Sequence, residues 1–93
     1  MNPVTIYTTA LCPYCHAASR LLSGLGVEFE EIRLDGRPEE RARLSEENGG
    51  WRTVPMIFVG DRFIGGFTEL RELHRSGELR ELLEMGGERE AEG

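Results

Sequence analysis

Two thiols, Cys12 and Cys15, stand two residues apart in a chain of 93 residues that has no other cysteine. Thiols at this spacing can pass a disulfide between them. A thiolate attacks a disulfide sulfur, a mixed disulfide forms, and the second thiol displaces the partner. The flanking residues suit that chemistry. Val4-Thr5-Ile6-Tyr7-Thr8 is rich in β-branched and aromatic residues and predicts a strand, and Pro13 predicts the first position of a helix. A thiol where that helix opens faces unpaired backbone N–H groups and the positive end of the helix dipole, which favour the thiolate. Cys12 is therefore the expected nucleophile, and Cys15, one turn further in, the resolving thiol. Cys12-Pro13-Tyr14-Cys15-His16 also satisfies the CxxCH pattern of c-type haem attachment. The absence of an export leader in Met1–Thr5 and the proline inside the motif argue against it. His16 reads as an ordinary first-turn residue. A purely structural thiol pair, or half of a metal site, is the plain alternative, and the strand–CxxC–helix context favours redox chemistry over both.

Three further features could handle a substrate. Thr53-Val54-Pro55 precedes an apolar run. Proline is tolerated at a strand's first residue, and the bond before it is compatible with trans or cis. A cis bond would leave the Val54 backbone facing outward, free to pair with an extended substrate. Gly65-Gly66 before a helical stretch permits close backbone approach and an anion site at the helix start, with Thr68 the expected N-cap. Arg52 is a candidate partner for a substrate carboxylate, although a lone arginine is more often simply solvated. Trp51 and Phe67 would line an apolar groove or belong partly to the core.

These residues need a scaffold. After the first strand, Ala18, Leu21, Leu22 and Leu25 recur at i, i+3, i+4, i+7 and predict one buried helix face, ended by Gly24 and Gly26. Residues 27–34 predict a second strand. Val27 and Phe29 keep one phase and Ile32 and Leu34 the other, which suggests a bend or bulge. Pro38-Glu39-Glu40 opens a charged surface helix that Asn48-Gly49-Gly50 stops. Met56-Ile57-Phe58-Val59 predicts a strand buried on both faces. Gly60-Asp61 is a hairpin turn into Arg62-Phe63-Ile64. Leu70 and Leu73 mark a third helix, and Leu79, Leu82 and Leu83 a short last one. The order βαβαββα plus a short C-terminal helix predicts an α/β fold: one mixed, four-stranded sheet flanked by helices. The expected domain covers residues 1–85, and residues 86–93 read as a flexible acidic tail.

Composition narrows the function classes. With 39% hydrophobic residues the chain can build one modest core. It carries 17 acids against 11 bases, all arginine, for a net charge of −6, so nucleic-acid binding is not expected. The lack of lysine excludes a lysine Schiff base or a P-loop. No apolar run approaches the ~18–20 residues of a membrane span. Two cysteines are too few for a disulfide-stapled secreted scaffold. A cytoplasmic monomer is the expectation.

With Cys-Pro-Tyr-Cys, Thr-Val-Pro and Gly-Gly in this order, residues 3–84 resemble the bacterial dithiol glutaredoxins of the thioredoxin superfamily. The resemblance implies a thioredoxin-like fold, a cis bond before Pro55 and glutathione as reductant and co-substrate, with no metal. It implies catalysis by Cys12 and Cys15. It further implies a glutathione groove in which Tyr14 flanks the tripeptide and Arg52 faces its glycine carboxylate. Thr53, Val54 and Pro55 would pair with its cysteine portion, while Gly66, Phe67, Thr68 and Glu69 would hold its γ-glutamyl end. The implied partners are disulfide-bonded or glutathionylated proteins, ribonucleotide reductase among the candidates. Two rival readings are a redoxin reduced by thioredoxin reductase and an iron–sulfur module in which two protomers each contribute Cys12 beside two glutathiones.

Overall fold

The first strand forms where a β-branched run alternates buried and half-buried positions. In a computed structural model, which describes residues 2–84, β1 spans Val4–Thr8 and buries Val4, Ile6 and Thr8 on one side. Helix α1 follows over Pro13–Gly24, then β2 (Phe29–Arg33), α2 (Pro38–Glu47), β3 (Met56–Val59), β4 (Arg62–Gly65) and α3 (Phe67–Ser76). Residues 78–84 form a last helix, α4. The expected acidic tail, 86–93, lies outside the described residues.

The strands form one mixed sheet in the order β2-β1-β3-β4. β1 pairs parallel with β2 and antiparallel with β3, and β3 pairs antiparallel with β4. The apolar run Met56–Val59 is thus a central strand and serves two cores. On one face Val4, Ile6, Ile57 and Val59 meet Ala18 and Leu22 of α1, Leu70 of α3, and Leu79 and Leu83 of α4. On the other, Met56 meets Leu34 and Leu44, with Tyr7, Phe58, Phe63 and Trp51 packed around them. Burying each large aliphatic side chain contributes ~1.5–3 kcal/mol, so Ile6, Leu22, Ile57 and Leu70, all fully buried, hold the layers together.

Two expectations are corrected. The second strand has no bulge: its register with β1 runs unbroken from Val4 opposite Phe29 to Thr8 opposite Arg33. The two hydrophobic phases belong to the two faces of the sheet, since Phe29 packs on the first core and Leu34, just past the strand, on the second. The register shift falls instead in the β3–β4 hairpin, between Ile57 and Phe58. Leu25, placed on the buried face of the first helix, is 40% exposed. The helix stops at Gly24, and Leu25 is its C-cap, with its N–H donating to carbonyls of the last turn.

Candidate functional site

The cysteines meet the sheet where β1 ends. Cys12 is the N-cap of α1, in extended conformation, and Pro13 fills the first helical position. An N-cap side chain normally offers an oxygen to the free N–H groups of the first turn. Here the sulfur does so: the Cys15 N–H donates to Cys12 Sγ at 3.2 Å. The Cys12 thiol in turn lies 3.6 Å from the Val54 carbonyl oxygen. Both cysteines are free thiols and both are buried, but their surroundings differ. Cys15 is 2% exposed. Burial, reinforced by the side-chain hydrogen bond with Cys12, pushes its thiol up to about 12. Cys15 therefore stays protonated at neutral pH.

Glu31 adds to that effect by its negative charge. It sits on β2, opposite Ile6 of β1. Its carboxylate accepts the Thr8 hydroxyl at 2.7 Å and the Arg33 Nε–H at 3.4 Å. Nothing in the sequence marked Glu31, because its proximity comes from the β1–β2 pairing. Alternation along β2, with Phe29 and Glu31 on one face, is the only signal that could have pointed to it.

Thr53, Val54 and Pro55 lead into β3, and the Val54–Pro55 bond is cis. Val54 is half-buried and Pro55 fully buried, whereas Arg52 and Thr53 are exposed. The Arg52 side chain forms no salt bridge among the described residues, and its carbonyl accepts from Arg41 Nη2 at 3.2 Å. Arg41, which sequence reasoning passed over, thereby ties α2 to the segment that leads to Val54.

Gly65 and Gly66 bring α3 up against this segment. Gly65 has φ +110, and a Cβ there would come within 2.8 Å of Glu69 Cγ, so only glycine fits. A Cβ on Gly66 would lie 3.4 Å from the Pro55 carbonyl oxygen and 3.6 Å from Trp51. Gly66, not Thr68, is the N-cap of α3. The helix begins two residues earlier than expected because Glu69 reaches back, its Oε1 accepting the Gly66 N–H at 2.9 Å. Thr68 is left exposed on the first turn.

Tyr14, 63% exposed, stacks on Phe67 with ring centroids 6.3 Å apart, and the Arg71 guanidinium lies 5.6 Å from the Phe67 centroid. These rings form an aromatic wall near the thiols. Trp51 belongs to the second core, edge-on to Phe63 at 5.3 Å. The fold thus gathers Cys12, Val54, Pro55 and Gly66 with the Tyr14–Phe67 wall. Arg52, Thr53 and Thr68 project to solvent around them, and the Glu69 carboxylate is engaged in capping. Among the described residues no cluster of His, Cys, Asp or Glu could hold a metal ion, and no helix is long and apolar enough to cross a membrane.

Comparison with known proteins bears on this arrangement. The glutaredoxin family model matches residues 4–64. The chain is 51% identical over 83 residues to a glutaredoxin of Pseudomonas aeruginosa, covering 89% of this chain and 98% of that one. It is 43% identical over 83 residues to glutaredoxin 3 of Escherichia coli, covering 89% and 99%. Among solved structures, a glutaredoxin of Brucella melitensis superposes with TM-score 0.82 at 43% identity, covering 92% of each chain. A buckwheat glutaredoxin–glutathione complex superposes with TM-score 0.85 at 34% identity, covering 92% of this chain and 80% of that one. With a thioredoxin-like fold and a family match across most of its length, this chain belongs to the glutaredoxins, a family of thiol–disulfide oxidoreductases.

Proposed function

We propose that this protein is a glutathione-dependent oxidoreductase that reduces protein disulfides and glutathionylated proteins through Cys12 and Cys15. The observation that carries the proposal is the capping of Cys12 Sγ by the Cys15 N–H at 3.2 Å, beside a Cys15 thiol held protonated by burial. Exchange proceeds through the thiolate, so Cys12 Sγ, which faces the Cys15 N–H at the opening of α1, is the attacking sulfur. It attacks one sulfur of a substrate disulfide. The S–S bond to Cys12 forms, and the other substrate sulfur leaves as a thiolate. Cys15 then gives up its proton and attacks Cys12 Sγ, releasing the second substrate thiolate and leaving a Cys12–Cys15 disulfide. Two glutathiones reduce this disulfide, becoming oxidised glutathione. On a glutathionylated protein, Cys12 takes the glutathionyl group and frees the protein thiol. A second glutathione then displaces it.

Glutathione is proposed to lie along Thr53-Val54-Pro55, its backbone pairing with Val54 and its flank against Tyr14 and Phe67. Arg52 is the proposed partner of its glycine carboxylate. Gly66 and Thr68 would face its γ-glutamyl end, with Glu69 acting indirectly as the cap of α3. The buckwheat relative, solved with glutathione, supports this choice of co-substrate. The cysteines separate the two routes. Cys12→Ser is expected to abolish both activities, whereas Cys15→Ser should retain deglutathionylation and lose dithiol reduction of protein disulfides. Activity of Cys12→Ser in glutathione-coupled assays would overturn the assignment.

A further inference from the structure

Cys12 borders a second groove, along a stripe of α1 that does not include Tyr14. This groove has a volume of about 530 Å³, and Cys12 is its only lining residue shared with the proposed glutathione site. Its walls are Ala10, Leu11, Pro13, His16, Ala17 and Arg20. Pro13, His16, Ala17 and Arg20 follow at i, i+3, i+4, i+7, so they form one stripe along α1. The stripe is not a core face, since Pro13, His16 and Arg20 are all exposed.

Three features give the groove a chemical character. Leu11, next to the nucleophile, is 95% exposed. The loop that carries it is braced, because the Ala10 N–H donates to both Asp35 carboxylate oxygens at 3.1 Å. Leu11 is thus presented to solvent on an anchored loop. No lining residue is acidic, although the chain carries 17 acids and a net charge of −6. Finally, Arg20 closes the far end, and no carboxylate forms a salt bridge with it among the described residues.

Building on the oxidoreductase reading, we propose that this groove is the docking site for the polypeptide of a protein disulfide substrate. Its preferred segment carries an apolar side chain beside the attacked cysteine, to cover Leu11, and a carboxylate further along, to meet Arg20. The spacing follows from the helix. Eight residues from Cys12 to Arg20 rise roughly 12 Å at 1.5 Å each, a length that an extended chain crosses in about four residues at ~3.3 Å each. The groove thus selects protein substrates, while glutathione uses a separate set of residues around the same sulfur. The covalent step is the exchange at Cys12 already described.

The test uses symmetric peptide disulfides joined through a central cysteine, with leucine beside it and either aspartate or lysine four residues to each side. A mixed disulfide of glutathione and free cysteine is the control substrate. The wild-type protein is expected to reduce the aspartate peptide with a kcat/KM about tenfold above that of the lysine peptide, the ratio set by a difference of roughly 1.4 kcal/mol. Arg20→Glu should reverse this preference. Leu11→Ser should lower kcat/KM for both peptides several-fold. Both variants should turn over the control within about twofold of wild type. Equal rates on the two peptides, with normal control turnover, would overturn the docking proposal alone. Loss of control turnover in either variant would likewise overturn it, by showing a structural effect. A wild-type protein inactive on the control would instead remove the oxidoreductase reading beneath it.

Discussion

The backbone N–H of Cys15 points at the sulfur of Cys12 across 3.2 Å, so the main chain of one cysteine stabilises the side chain of the other. The Cys15 thiol itself is buried and held protonated. In the proposed mechanism one residue thus serves twice: its amide faces the nucleophile first, and its thiol acts only after a mixed disulfide has formed.

That asymmetry makes the reduced protein sensitive to alkali. The Cys15 thiol moves from an ordinary value of 9.0 to about 12 on folding. Above pH 9 the unfolded chain loses this proton while the folded chain keeps it, so the unfolded state binds fewer protons and stability falls as pH rises. This contribution is fully present below pH 9 and disappears as pH approaches 12. Urea denaturation of the reduced protein between pH 8 and 10.5 should show a steeper loss than that of Cys15→Ser, which lacks the thiol. Parallel profiles would contradict the burial argument.

Glu31 should set how fast Cys15 resolves. Its negative charge helps hold the Cys15 thiol up, so Glu31→Gln should lower that thiol's pKa. The amide oxygen can still accept the Thr8 hydroxyl, so the strand pairing is expected to survive. Stopped-flow measurement of intramolecular resolution, starting from protein glutathionylated at Cys12, should show the pH profile displaced to lower pH. An unshifted profile would remove Glu31 from the electrostatics of Cys15.

Glu69 acts on the start of α3. Glu69→Ala deprives the part-buried Gly66 N–H of its acceptor and should cost about 1 kcal/mol in chemical denaturation. Glu69→Gln, whose amide oxygen can accept the same bond, should recover most of it. Equal stability of both variants and wild type would show that solvent caps this helix just as well.

Leu44 is the buried residue of α2 and packs on Met56 and Leu34. Leu44→Ala should cost about 2–5 kcal/mol. It should also loosen the Arg41 contact with the Arg52 carbonyl. Hydrogen exchange in residues 38–53 should therefore rise more than in β1 and β3. Uniform protection across the chain would place the anchor of α2 elsewhere.

Much of this was legible in the sequence because it depends on local chemistry. The strand–CxxC–helix order is readable from β-branched residues, from Pro13 at a helix start and from the thiol spacing. The apolar run Met56–Val59 marks a strand buried on both faces, and β1, α1 and α2 follow from alternation, helical period and stop residues. Leu25 marks a limit of local reading: the period continues, but the helix ends at Gly24, and the residue turns out to solvent. The two hydrophobic phases around β2 were visible, but their meaning was not, since a bulge and a sheet with a core on each face leave the same trace. Thr68 fits an N-cap by residue type, yet a backbone bond to Glu69 places the cap at Gly66.

What the tertiary structure alone decided is which distant residues meet at the two sulfurs. Glu31 reaches the electrostatics of Cys15 because β2 pairs parallel with β1, and sequence carries no direct record of strand register. Val54 meets Cys12 across 42 positions, and Phe67 meets Tyr14 because the β3–β4 hairpin folds α3 back beside α1. Residue type and spacing determine what a thiol pair can do. Proximity across the sheet determines how its acidity is set and what lies on either side of it.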